Sequence, residues 1–294
     1  MSARIDAHHH LWQLSARRHE WLEGDETTAI RRDFGVTDLR RVAEPSGIEA
    51  TVLIQVLPDL DESLEFLALA EKDPLIAGVV GWADLTSPRL DDQLERLKTA
   101  PGGELLVGIR HLVQGEPDPR WLCREDVLTG LRKVRDAGLV YDVLVLPHQI
   151  PAATAAARAV PGLTFVLDHL GKPPIAAGER EPWTAHLAEL AGERNVVAKI
   201  SGLVTEADRR LWSLPDLRPY VETALELFGP DRLMLGSDWP VCLLAGEYAE
   251  VMAAGNALID HLPAAGRAAI QGGTAAEVYR LQDRVAQRPD PRRA

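Results

Sequence analysis

Ile5-Asp6-Ala7-His8-His9-His10-Leu11-Trp12 is the stretch on which the reading of this chain turns. A strand running into histidines alternates its side chains between two faces, so His8 and His10 point one way and His9 the other. Two imidazoles on one face suit metal binding or the polarisation of a carbonyl, and do little for packing. The bland alternative is a purification tag. A tag is usually a longer run, whereas these three histidines are framed by apolar residues.

Working outward, short β-branched runs alternate with helical patterns almost from end to end. Strands are expected over residues 3–7, 50–56, 76–82, 105–110, 140–146, 163–167, 196–200 and 232–236. Several are continuously apolar, such as Thr51-Val52-Leu53-Ile54 and Val143-Leu144-Val145-Leu146, as in strands buried on both faces of a parallel sheet. Helical patterns cover 64–70, 90–98, 128–137, 152–160, 183–191, 220–228 and 248–262. Asp61 is a fair N-cap for the first, Pro88 precedes the second and Gly138 closes the third. Two long loops, 12–34 and 171–182, are left over, and long loops in compact domains are usually functional or disordered. No internal repeat or linker divides the chain. Eight strand–helix units predict a single-domain (β/α)8 TIM barrel over 1–285, with a flexible tail at 286–294. An open doubly wound sheet is the runner-up, but it wants a Gly-rich turn where His8–Trp12 stands.

Composition sets bounds. The 294 residues are 46% hydrophobic and 26% charged, ordinary for a soluble globular protein. No apolar run approaches the roughly 20 residues of a membrane helix, and Arg4 and Asp6 interrupt any leader-like start. Net charge of −12, from 32 basic against 44 acidic residues, repels phosphate backbones and argues against nucleic acid. Cys123 and Cys242 form neither a CxxC nor a disulfide framework, which points to a reducing cytoplasm.

In such a barrel the chemistry sits at the carboxyl ends of the strands. There the sequence places His8 and His10, Gln55, Trp82 and Asp84, Arg110 and His111, Tyr141 to His148, Asp168-His169, Lys199 and Ser201, and Ser237-Asp238-Trp239-Pro240. Each has a dull alternative: a single histidine can be structural, Asp168 can cap a turn, and Lys199 can snorkel to solvent. Chance would scatter such groups over both ends of the strands, so their gathering on one rim argues for a site.

Asp6-Ala7-His8-His9-His10-Leu11-Trp12, Gly108-Ile109-Arg110-His111, Asp168-His169-Leu170-Gly171-Lys172-Pro173-Pro174, Lys199-Ile200-Ser201-Gly202-Leu203 and Gly236-Ser237-Asp238-Trp239-Pro240 together resemble the amidohydrolase superfamily. More narrowly they resemble its sugar-lactonase branch, of the L-fuconolactonase and L-rhamnonolactonase type. The tail Gly273-Thr274-Ala275-Ala276-Glu277-Val278-Tyr279-Arg280-Leu281 resembles the superfamily's last helix, with Thr274 where Asn is usual. HxH alone is a weak signal; HxH with DHLGKP and GSDWP in this order is a strong one.

The resemblance implies a hydrolase acting on a carbonyl, with His8, His10, His169 and Asp238 at its centre. His148 stands where related zinc decarboxylases place a strand-5 ligand, so His8, His10, His148 and Asp238 form a candidate mononuclear set. Strand 4 ends in Arg110, with no Lys or Glu to bridge two ions. One divalent metal, zinc for preference, or none is therefore expected. Asp238 is expected to serve as general base for water attack on a sugar lactone, with His169 or Asp238 returning the proton. Arg110, Lys172, Gln55 and Tyr141 are the polar substrate-binding candidates. Trp12, Trp82 and Trp239 are candidates for stacking on a sugar ring, in a chain with 7 Trp against 4 Phe and 4 Tyr. Trp at a barrel rim is as often plain packing. With only Arg110 placed at a strand end, a neutral sugar lactone is preferred to a pyrone dicarboxylate. A metal-dependent decarboxylase of the aminocarboxymuconate type and a catalytically idle sugar-acid binder are the rivals. Oligomeric state is open, a homo-oligomer included.

Overall fold

The structure, a computed structural model, describes residues 3–286. The tail expectation lies outside the described residues from 287 onward. Eight parallel strands pair in sequence order. They are β1 (Ile5–His9), β2 (Ala50–Ile54), β3 (Ile76–Gly81), β4 (Leu106–His111), β5 (Val140–Val143), β6 (Phe165–Leu167), β7 (Val196–Ile200) and β8 (Leu233–Leu235). The ring closes at its carboxyl end: Asp238 N donates to the His8 carbonyl at 2.8 Å and His10 N to the Trp239 carbonyl at 2.6 Å. This is a single-domain (β/α)8 barrel, as the strand–helix alternation predicted.

The helices outside the strands are α1 (Val36–Ala43), α2 (Leu60–Lys72), α3 (Leu90–Thr99), α4 (Glu125–Asp136), α5 (Ile150–Ala159), α6 (Trp183–Ala191), α7 (Leu203–Glu206), α8 (Leu214–Phe228) and α9 (Tyr248–Leu258). α10 (Ala264–Ala268), α11 (Thr274–Val278) and α12 (Gln282–Ala286) follow. The eight strands and the helices α2, α3, α4, α5, α6, α8 and α9 were legible in the sequence, with ends that moved by up to six residues, as at Leu214 of α8. Asp59, not Asp61, caps α2, its carboxylate accepting from Asp61 N at 2.8 Å. α1 escaped notice because it is two turns long, and its buried stripe is only Leu39 and Ala43.

Two apolar layers hold the barrel. The larger lies between strands and helices and includes Leu53, Leu67, Ile109, Leu131 and Leu187. The smaller fills the barrel interior with Ile5, Val52, Val80, Val140, Val166, Val197 and Met234, and Tyr279 and Leu281 close it from the C-terminal segment. Along β1 the phase slips: Ile5 and Ala7 belong to the interior layer, yet His8 and His10 also turn inward, where the β1–β2 register shifts between Asp6 and His9. Asp6 pins that irregularity from outside. Its carboxylate accepts from Ser237 N at 2.8 Å, Ser237 Oγ at 2.6 Å and Tyr248 OH at 3.0 Å. Both cysteines are free thiols, and among the described residues no helix is long and apolar enough to cross a membrane.

Candidate active site

His8 and His10 face each other across 3.1 Å through their Nε2 atoms. Asp238 Oδ1 lies 3.6 Å from the first and 3.4 Å from the second. His169 Nε2 is 3.9 Å from the same oxygen. The four side chains come from the end of β1 and the residue just past it, the turn after β6 and the turn after β8, and all are at least nine-tenths buried. His169 and Asp238 both hold left-handed backbone, φ 53° and 57°, a strained conformation that aims them inward from the strand ends. Gly202 makes room for them. Its own φ is +63°, and a Cβ there would sit 2.6 Å from His169 Nδ1 and 3.2 Å from Asp238 Oδ2.

Each imidazole is oriented by its other nitrogen. His10 Nδ1 donates to the Ile54 carbonyl at 2.9 Å, which leaves Nε2 as a bare acceptor. His169 Nδ1 pairs with Ser201 Oγ at 2.9 Å. His8 Nδ1 lies between Lys199 Nζ at 3.2 Å and Asp168 Oδ1 at 3.3 Å. Burial holds His8 well below its ordinary pKa, with Lys199 adding to the effect and Asp168 opposing it; burial also lowers His169. Burial pushes the Asp238 carboxyl up, but His169, His10 and His8 outweigh it and hold that carboxyl below the usual range. His9 points away. Both of its ring nitrogens are buried without a partner, and burial pushes its pKa down to about 3.

Beneath the histidines runs a buried ionic network that the sequence reading did not foresee. Lys199 is fully buried rather than snorkelling, with Nζ 2.5 Å from Asp142 Oδ2 and 3.0 Å from Asp168 Oδ1. Arg110 Nη1 reaches Asp168 Oδ2 at 3.0 Å, so Asp168 holds charges together rather than capping a turn. Tyr279 OH reaches Asp142 at 2.9 Å, tying the C-terminal segment to the centre. Two cations balance two carboxylates, which leaves Asp238 facing three imidazoles with no Lys or Arg of its own.

That imbalance is a test of fit for a metal. Without an ion, the ring nitrogens are satisfied if Lys199 donates to His8 Nδ1 and His8 Nε2–H donates to His10 Nε2. Asp168 Oδ1, fully buried, then has the Lys199 ion pair at 3.0 Å but no well-aligned hydrogen bond. If His8 Nδ1, 3.3 Å away, instead donates to that oxygen, both Nε2 lone pairs and the Asp238 carboxylate are left free to face one another. Such a donor set fits a divalent cation.

A cavity of about 340 Å³ opens above this cluster, lined by His10, His169, Asp238, Arg110, Lys172 and Gln114 among others. His8 lies behind it, fully buried. Arg110 has a buried Nε from which no group among the described residues accepts. Lys172 lines the wall but is tied to Glu206 at 2.8 Å. A second arginine, Arg209, lines the rim as well, where the sequence had placed only Arg110.

Several expected contributors lie elsewhere. His148 is exposed on the turn after β5, because that strand ends at Val143, five residues earlier; it is not among the groups able to share an ion. Trp12 and Trp239 are 3% and 2% exposed, both packed edge-on against Phe34, so neither has a face free for a ligand. Trp82 donates its indole N–H to His111 Nδ1 at 3.2 Å, away from the cavity lining. Tyr141 is fully buried, and Gln55 acts through Arg110, its Oε1 accepting from Nη2 at 3.1 Å. Trp21, Glu26, Thr27, Thr205 and Leu244 line the cavity and were missed, since they come from 3-10 turns and the one-turn helix α7, too short to show a periodicity.

A family model described as Amidohydrolase matches residues 5–281. L-fucono-1,5-lactonase of Burkholderia ambifaria is 38% identical over 96% of this chain and 97% of its own length. Its namesake from Burkholderia multivorans is 39% identical over 95% and 97%. A crystal structure of an amidohydrolase from Burkholderia multivorans with bound Zn superposes with a TM-score of 0.88 at 37% identity, over 95% of this chain and 99% of that one.

Proposed function

This chain belongs to the amidohydrolase family, and we propose that it hydrolyses a sugar lactone, an aldono-1,5- or 1,4-lactone, to the aldonic acid. The observation that carries the reading is the convergence of His10, His169 and Asp238 on one cavity, backed by His8, in a chain so similar to named lactonases. A cavity of about 340 Å³ suits a small ring.

In this scheme Asp238 takes a proton from water as the water oxygen bonds to the lactone carbonyl carbon. The ring C–O bond then breaks, and the proton passes to the departing ring oxygen from Asp238 or through His169. His169, neutral through burial and set by Ser201, faces the carbonyl oxygen as negative charge grows there. Arg110, which lines the cavity, carries the positive charge that draws a polar group of the substrate. His8, His10 and Asp238 would hold one divalent ion, zinc by preference, and its Lewis acidity would further polarise the carbonyl.

A panel of aldonolactones read with a pH indicator tests the proposal. Acid release from at least one sugar lactone is expected. Failure of every lactone, with carbon dioxide release from an aromatic or dienoic acid, would overturn it.

A further inference from the structure

Trp21 is the residue that no motif pointed to. It sits on the 3-10 turn Glu20–Leu22 in the loop between β1 and α1, lines the cavity and keeps 38% of its surface exposed. Among the described residues the only other exposed large hydrophobic is Leu211. Trp12, Trp121, Trp183 and Trp239 are buried, and Trp82 and Trp212 are half-buried with their indole N–H groups spent on His111 and on the Ala245 carbonyl. The Trp21 N–H donates to no described group.

The turn is braced rather than loose. Leu22 is 1% exposed, and its carbonyl accepts from Thr27 Oγ1 at 2.9 Å and Arg31 Nε at 2.6 Å. Arg17, four residues earlier, locks the loop to the start of α2 through Asp59 at 2.7 Å and a two-pronged contact with Glu65 at 2.6 and 2.9 Å. Trp12 meets the Trp21 ring edge-on, centroids 5.4 Å apart and planes at 86°. Trp12 in turn packs on Phe34, and Phe34 on Trp239, the neighbour of Asp238. The aromatic chain thus runs from the rim to the base, and only its outermost member retains open surface.

We propose that Trp21 is the aromatic platform of the substrate site, stacking on the C–H face of the bound lactone ring and holding it over Asp238. This deepens the proposed lactone hydrolysis and rests on it. Trp12 and Trp239, which sequence position favoured for this role, are its buttress. A fixed ring loses little freedom on binding, so its contribution falls on affinity for the intact ring and not on the bond-breaking step.

The test uses the metal-loaded enzyme with L-fucono-1,5-lactone, and the corresponding 1,5-lactam as an inert ring. Trp21→Ala should raise KM about tenfold with kcat within about threefold of wild type, and Trp21→Phe should keep most of the affinity. The lactam should change the tryptophan emission of the wild type, and that change should vanish in Trp21→Phe although six tryptophans remain. An unchanged KM in Trp21→Ala, a loss confined to kcat, or an undiminished emission change in Trp21→Phe would overturn the assignment. If the wild type hydrolyses no sugar lactone, the functional reading fails first; a lactone-active wild type with an indifferent Trp21→Ala sinks this inference alone.

Discussion

His8 and His10 hold their Nε2 atoms 3.1 Å apart, each within 3.6 Å of Asp238 Oδ1. Two imidazole nitrogens approach so closely only with one proton or one cation between them. The carboxylate beside them favours the cation. Purified protein is therefore expected to carry about one divalent ion per chain by elemental analysis. Chelation should abolish lactone hydrolysis and zinc should restore it. Full activity in metal-free protein would leave the imidazoles as the direct stabilisers of the oxyanion.

Lys199 bridges Asp142 and Asp168 in complete burial, so its removal leaves two buried carboxylates to share the single cation Arg110, with Asp142 stripped of its counter-ion. Lys199→Met should cost about 3–5 kcal/mol of stability in denaturant unfolding. Adding Asp142→Asn to that variant should recover part of the loss, because one orphaned charge goes with it. Equal stability of Lys199→Met and wild type would mean that the network carries no net weight.

Glu62 is buried at the start of α2, where Oε2 accepts from Val56 N at 2.8 Å and Leu57 N at 3.0 Å. Burial pushes its pKa up to about 7 from an ordinary 4.5, against the pull of the two N–H groups. The folded state therefore keeps this proton longer than the unfolded chain. The resulting stability is present below the ordinary value and is lost as pH rises through about 7, by at most about 3 kcal/mol. Glu62→Gln keeps an acceptor for both N–H groups and removes the charge. Its melting temperature should exceed that of wild type at about pH 8 and depend less on pH; a parallel pH profile would exclude Glu62 as the source.

The barrel was legible because its signals are local: apolar runs that fit a doubly covered strand, and helices stopped by residues such as Gly138. The central histidines were legible because HxH at the end of a strand admits few other uses. Depth was not. A period of two tells which face Lys199 takes but not whether that face meets solvent or the barrel interior. A strand apolar on both sides, Val196-Val197-Ala198-Lys199-Ile200, was the available clue that its lysine is enclosed. Nor does adjacency to a motif tell whether a tryptophan is spent in packing, as Trp12 and Trp239 are on Phe34. His148 was misjudged by carrying β5 beyond Val143, through an apolar segment that bends away as a loop. The cavity wall from Trp21 to Thr27 and from Thr205 to Arg209 lies in 3-10 turns, the end of the one-turn helix α7 and the turn after it, whose side-chain directions only tertiary contacts decide.

Asp238→Asn is the most direct test, because the scheme asks one carboxylate to move the proton. The substitution keeps the shape of the side chain and removes its basicity. Measured on a lactone that the wild type turns over, with zinc supplied and folding checked by melting temperature, kcat should fall about 10²–10⁴-fold. A wild-type kcat in that variant would contradict the account.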